Sequence, residues 1–304
     1  MELNALTSFA KTQPTLTLPA PAKLNLFLHI TGRRTDGYHN LESVFQFLDL
    51  ADLLHFTPNR TGQITLECLN LDSKQLAIPA AQNLVVKAAQ LLQQQLPVVQ
   101  RQKAGVSIQL EKYLPMGGGL GGGSSDAATT LLALNRLWQL NLPLAELATL
   151  GLQLGADVPV FVHGFAAFAR GVGEQLEPVY PDECFYVVVH PNVHISTAEI
   201  FQHKDLTRNS QPLPHNDIDW KTCRNDCEPL VRSCYRQVAV ALDWLLQYGP
   251  SRMTGTGACI FAPFATKAAA EHALANLPNG CRGFIAQGQN RSPAHLALAH
   301  CSEG

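Results

Sequence analysis

The sequence predicts an α+β protein of two lobes with a cleft between them, and three observations carry that expectation. The chain has 304 residues, which exceeds the usual size of a single hydrophobic core. Strand-patterned and helix-patterned stretches both run through it, with no internal repeat. A run of glycines joins one predicted strand to one long predicted helix, which is the setting of a ligand site rather than of a linker.

Composition narrows the function classes. Hydrophobic residues make up 46% and charged residues 15%, as in a well-packed enzyme, and residues 1 to 18 are the one segment expected to be loose. The formal net charge is -2 and Lys and Arg do not gather in a stripe. That argues against nucleic acid and anionic membranes as partners, and for a small, locally bound substrate. No apolar run has bilayer length and the N-terminus lacks a signal-peptide pattern, so a cytoplasmic protein, monomeric or weakly dimeric, is expected. The eight cysteines are scattered, which favours free thiols over a disulfide framework. Cys223, Cys227 and Cys234, with His203 and His215, match no structural zinc spacing, and Pro191 keeps His190 and His194 off a shared helix face.

Residues 22 to 30 alternate as a strand, with Leu24, Leu26 and Leu28 on one face and Lys23, Asn25, Phe27 and His29 on the other. A Lys and an Asn therefore project together. Gly32 and the Asp36-Gly37 pair mark residues 31 to 39 as a loop, and strand-like sequence resumes over Val44 to Leu50. Asn83 stands at the cap of a helix that stops before Pro97. A strand over Gly105 to Leu110 leads through Lys112 to the glycine run, and a helix follows from about Ser125 to Trp138. Another helix over Leu144 to Leu154 ends at Gly155, with Asp157 just beyond it. Cys184 to His190 reads as a buried strand, Val231 to Tyr248 as one helix, and Met253 to Phe264 as a second glycine-containing turn running into a strand.

The strongest signal is the run Pro115-Met116-Gly117-Gly118-Gly119-Leu120-Gly121-Gly122-Gly123-Ser124-Ser125, in which six of the residues 117 to 123 are glycine. Ordering so many glycines is costly, so a ligand must compensate. Without side chains, successive N–H groups can converge on an anion, and the helix start adds roughly half a positive charge at the same spot. Ser124 and Ser125 can add hydroxyls or help to hold Mg²⁺. Gly117, Gly119 and Gly122 also fit the G-x-G-x-x-G dinucleotide pattern, but no convincing acidic residue follows a second strand. No Lys follows the loop either, so it is not a Walker A site.

Three segments occur in order: Pro21-Ala22-Lys23-Leu24-Asn25-Leu26, then Pro115 to Ser125 with Asp126-Ala127-Ala128, then Thr254-Gly255-Thr256-Gly257-Ala258. Together they resemble the three motifs of the GHMP kinase superfamily. Asp36-Gly37-Tyr38-His39, Leu154-Gly155-Ala156-Asp157-Val158-Pro159 and Arg224-Asn225-Asp226-Cys227-Glu228 are similar to the members that act on 4-diphosphocytidyl-2-C-methyl-D-erythritol, and the likeness covers nearly the whole chain from residue 20.

This resemblance implies a two-lobed GHMP kinase fold with the active site between the lobes: a leader over 1–19, an N-terminal lobe over 20–170 and a C-terminal lobe over 171–304. It implies ATP as phosphoryl donor, with Mg²⁺, and the cytidine diphosphate alcohol as acceptor, phosphorylated on its 2-hydroxyl. Asp157 would be the catalytic base with Lys23 beside it. Asn25 would hold the substrate, Tyr38 would stack on cytosine, His39 would bond to its edge, and Phe201 would be the second stacking face with Thr197 nearby. Asn83, Leu84 and Lys112 would contact adenine, and the loop from Pro115 to Ser125 would take the phosphates. These roles make chemical sense. An alcohol has a pKa near that of water, about 15.7, against about 3.9 for a free Asp, so the carboxylate orients the hydroxyl rather than stripping it in advance. The proton leaves late in a loose phosphoryl-transfer transition state. Asp126 stands where Asn is also common in this family, which puts an extra charge beside the phosphates. The rival readings are a related kinase acting on mevalonate, homoserine or a sugar, a nicotinamide-dependent oxidoreductase, and a nucleotide-binding regulator without catalysis. Tyr38 and His39 argue against the first, since those acceptors carry no base.

Overall fold

A computed structural model of the chain describes residues 16–70, 82–213 and 219–300. Most of the segment expected to be loose, and His215, lie outside them. β1 (Leu16–Arg33) and β2 (His39–Asn59) form an antiparallel hairpin, closed where the Arg34 N–H donates to Tyr38 O at 2.7 Å and Gly37 adopts a φ of 90°. The loop expected over 31 to 39 is thus only a tight turn, because Gly32 and Arg33 pair with Asn40 and His39. Bulges after Pro21, Asn25 and Ile30 break the alternation of β1. Both of its faces are covered, and Lys23 and Asn25 are as buried as Leu24 and Phe27.

β3 (Ile64–Asn70) is followed by α1 (Leu84–Gln93), where Asn83 is the cap and its Oδ1 accepts from the Val85 N–H. The short α2 (Val98–Arg101) then leads into β4 (Gly105–Lys112), parallel to β3 and antiparallel to β2. α3 (Gly122–Leu137) starts three residues before the expected Ser125. The first N–H groups of a helix have no helical acceptor, so glycine at its start leaves them open to a ligand with no Cβ in the way. From Ser125 to Leu134 every residue of α3 is buried, so this helix is the axle of the first core.

α4 (Leu144–Leu152) and α5 (Val158–His163) pack beside it, followed by β5 (Ala167–Arg170), β6 (Gln175–Pro178), β7 (Phe185–His190) and α6 (Thr197–Gln202). The single helix expected over 231 to 248 is two, α7 (Glu228–Cys234) and α8 (Arg236–Leu245), because Tyr235 leaves the helical region at φ -126° and ψ 94°. β8 (Arg252–Met253), β9 (Ile260–Phe264), α9 (Lys267–Leu274), β10 (Arg282–Gln289) and α10 (Pro293–His300) complete the described chain.

The sheet runs in the order β3-β4-β2-β10-β7-β9-β8, with β1 and β5 also on β2 and β6 on β5. One apolar cluster fills the space between α1, α3, α4, α5 and the β1–β5 strands, and a second lies among β7, β9, α7, α8 and α9. A third, with Leu24, Phe27, Leu120, Val188 and Phe261, lies at the junction. Both the glycine loop, through Leu120, and β1 are therefore anchored where the two cores meet. The seven described cysteines are unpaired, and among the described residues no helix is long and apolar enough to cross a membrane.

Candidate active site

A cavity of about 720 Å³ lies beside that junction. Every residue nominated from sequence lines it except Ser125, whose side chain is turned inward by the early start of α3.

At its centre, the Lys23 ammonium is held on three sides by Asn25 Oδ1 at 2.5 Å, Asp157 Oδ2 at 3.2 Å and Gly119 O at 3.3 Å. The Phe45 ring covers it at 5.2 Å. Lys23 is 3% exposed and Asp157 33%, so the cation is interior while the carboxylate faces the cavity. A solvated edge lysine, the usual reading of an isolated Lys in a strand, is excluded. Asn25 is fixed in turn: its Nδ2 donates to Ser43 Oγ and its backbone N–H donates to Thr254 Oγ1. Asp157 stands at the N-terminus of α5 without capping it through its side chain, so its oxygens remain available.

In the loop, Gly117, Gly119 and Gly121 take φ of 68°, 76° and 72°. Left-handed residues alternating with ordinary ones turn successive N–H groups to one side, which makes an anion-binding nest. The second glycine turn backs it: the Cys259 N–H donates to Gly118 O, and a Cβ on Gly119 would come within 2.3 Å of Thr254 O. Asn225, from the Arg224-Asn225-Asp226-Cys227-Glu228 segment, fixes that turn by donating to Met253 O and Gly255 O.

At the outer end of the loop, Lys112 bridges two carboxylates, Asp52 and Asp126, the latter at 2.8 Å. Asp52 is fully buried and also accepts the Tyr113 and Leu114 N–H groups at 2.6 and 2.8 Å, so it clamps the entry to the loop. Burial pushes the Asp126 carboxyl up to about 7 against the pull of Lys112, with Asp52 adding repulsion. Burial opposes the charge on Lys112, but Asp126 and Asp52 outweigh it and hold the ammonium well above its usual range. Asp126 Oδ1 is buried with no partner among the described residues. No cluster of three His, Cys, Asp or Glu exists among the described residues. One free carboxylate oxygen beside a phosphate nest, and no all-protein cage, fits Mg²⁺ held jointly by protein and nucleotide.

At the far end, Tyr38 sits on the β1–β2 turn and is 63% exposed. His39 stacks on Phe201, with ring centroids 5.2 Å apart, and its Nε2 accepts from Arg208 Nε at 3.0 Å. Burial, then the charges of Arg208 and Arg33, hold its imidazole below the usual histidine range. Phe201 thus carries His39 on one of its faces. Thr197 Oγ1 lies 2.9 Å from Thr256 Oγ1. Asp52, Ser43, Thr254 and Arg208 escaped the sequence reading. Thr254 had a signal in the Thr-Gly-Thr-Gly segment, whereas the other three are defined only by partners remote in sequence.

A glycine-loop anion nest, a helix N-terminus and an interior Lys paired with a cavity-facing Asp, set between two packed cores, define a small-molecule phosphotransferase. Residues 83–165 match the family described as GHMP kinases N terminal domain and residues 201–283 that described as GHMP kinases C terminal, and the α+β architecture is the GHMP kinase fold. Within that class the chain belongs to the 4-diphosphocytidyl-2-C-methyl-D-erythritol kinase family. The protein so named from Tolumonas auensis is 53% identical over 94% of this chain and 98% of its own, and that from Hahella chejuensis is 54% identical over 92% and 95%. A crystal structure of 4-(cytidine 5'-diphospho)-2C-methyl-D-erythritol kinase superposes with a TM-score of 0.74 at 30% identity, covering 90% of this chain and 99% of that one. A mevalonate kinase structure reaches 0.65 at 16% identity, covering 91% and all of that chain, which shows shared fold alone. The protein is a kinase.

Proposed function

We propose that the protein transfers the γ-phosphoryl group of ATP to the 2-hydroxyl of 4-diphosphocytidyl-2-C-methyl-D-erythritol, yielding the 2-phosphate and ADP, a step of non-mevalonate isoprenoid precursor synthesis in the cytoplasm. The observation that carries this reading is the Lys23–Asp157 pair, 3.2 Å apart, facing one cavity that also contains the glycine nest and the Tyr38, His39 and Phe201 side chains. Amides of residues 117 to 124 bind the phosphates, and Asn83, Leu84 and Met116 flank the nucleoside. Lys112 acts as a countercharge fixed by Asp52 and Asp126, and its ammonium is already engaged. Asp157 orients the acceptor hydroxyl for in-line attack and takes its proton late, while Lys23 balances charge growing on the transferred group. Asp126 and the Ser124 hydroxyl are the groups suited to Mg²⁺, which when bound would neutralise phosphate charge. Asn25 holds the acceptor, and Tyr38, His39, Phe201 and Thr197 form its base pocket.

The lobes divide near residue 170. This is supported by the first core drawing mainly on residues up to 169 and the second mainly on residues from 187 onward, although Ala297 and Leu298 of α10 return to the first core. A monomer or weak dimer suffices, since every proposed group comes from one chain.

Purified protein offered ATP, Mg²⁺ and a panel of alcohols tests the reading through ADP release. Only the cytidylylated methylerythritol should support rapid turnover. Turnover of mevalonate, homoserine or a sugar at equal or greater efficiency would refute it.

A further inference from the structure

Beside the proposed base pocket, in contact with His39, stands a side chain whose role is set by its hydrogen bonds. Arg208 donates through Nε to His39 Nε2 at 3.0 Å, through one terminal nitrogen to Leu206 O at 3.1 Å, and through the other to Phe201 O at 2.9 Å and His203 O at 2.7 Å. The guanidinium is therefore clamped by three carbonyls, and its Nε–H is spent on the imidazole. A guanidinium has five donors, no acceptor, and does not lose its proton in proteins. His39 Nε2 must therefore present a lone pair, and in a neutral imidazole the only N–H is then on Nδ1.

We infer that Arg208 is a positioning residue that locks His39 into the Nδ1–H tautomer and so makes the base end of the cleft read a hydrogen-bond acceptor. His39 lines the cavity, and among the described residues its Nδ1 has no hydrogen-bond partner. Phe201 holds the ring from its face while Arg208 holds it from its edge, so neither rotation nor a ring flip is open to it. Burial and the charges of Arg208 and Arg33 all disfavour the imidazolium, which would bring a second N–H against the guanidinium. The consequence is chemical selection. At N3 cytosine offers an acceptor where uracil carries an N–H, so an Nδ1–H donor directed at that atom favours cytosine, whereas O2 is an acceptor in both bases. The inference rests on the proposed role of His39 at the substrate base and names the residue that sets its polarity.

The test is ¹⁵N NMR of the full chain with labelled histidine, the His39 signals being those lost in His39→Gln. Expected at neutral pH are a protonated, pyrrole-type Nδ1 and an unprotonated, pyridine-type Nε2. The reverse assignment overturns the inference even if the Arg208 variant does not fold. Arg208→Met, which keeps the stem and removes the donors, should change the His39 signals. It should also raise KM for the cytidine substrate about tenfold, the scale of one mismatched hydrogen bond, leave KM for ATP within about twofold, and narrow the preference over the uridine analogue. An unchanged His39 spectrum, or an unchanged preference, overturns it. If the wild-type enzyme fails to use the cytidine substrate, the functional reading falls while the tautomer measurement stands by itself.

Discussion

At the phosphate end of the cleft the ligand-facing groups are backbone amides and interior charges, whereas at the base end they are side chains on a hairpin turn and a six-residue helix. Asp52, Lys112 and Asp126 are buried around the loop, while Tyr38 is 63% exposed. The difference separates two tasks. A triphosphate is common to many kinases and is gripped by geometry that tolerates little change. The acceptor is particular to this family, and of the groups proposed to hold it Tyr38 is exposed on a turn while Phe201 packs against the second core.

Three substitutions sharpen or break this contrast. Asp52→Ala leaves the Tyr113 and Leu114 amides without an acceptor and Lys112 with a single carboxylate. It should cost about 3–5 kcal/mol of unfolding free energy, read from the denaturant midpoint. A loss below about 1 kcal/mol, the scale of a surface pair, would mean that the phosphate end is not preorganised by its interior charges. Asp157→Asn should lower kcat by about a hundredfold or more with little change in either KM. Stability should fall, because the buried Lys23 ammonium loses its carboxylate partner, though by less than in Asp52→Ala since Asn25 Oδ1 and Gly119 O still hold it. A normal kcat with a raised KM would make Asp157 a binding group instead. Tyr38→Ala should weaken the cytidine substrate by roughly 1–3 kcal/mol while leaving ATP affinity and the melting temperature alone. If KM for that substrate stays constant, stacking by Tyr38 is wrong and recognition of the base rests on His39 and Phe201.

The sequence made the local chemistry legible and left the long-range chemistry dark. The Asn83 cap and the strand entering the glycine run follow from contacts a few residues apart and appear where their residue types suggest, whereas α4 ends at Leu152, two residues before the expected Leu154, and Gly155 is not among the glycines at positive φ. The start of α3 was misplaced, since helix propensity disfavours glycine while a helix's first turn forgives it. That shift decides that Ser124, and not Ser125, meets the cavity. Asp52 lies just past the strand expected over Val44 to Leu50, and its significance lies in a lysine 60 positions away. Arg208 lies 169 positions from His39, in a stretch with no periodic pattern. Lys23 is buried because both faces of β1 are covered, which a period-two pattern with one polar face does not announce.

β10 is bonded to β7 along most of its length and to β2 at its end, where Gly288 and Gln289 meet Leu48 and Phe47. The seam between the halves is thus sewn by a strand that leaves the ribosome after nearly everything it joins. A nascent chain halted before residue 282 can bury its first core around α3, yet it has no strand to bridge β2 and β7. Activity should accordingly switch on late and abruptly during synthesis, and truncations that spare every cavity-lining residue but remove β10 should be silent.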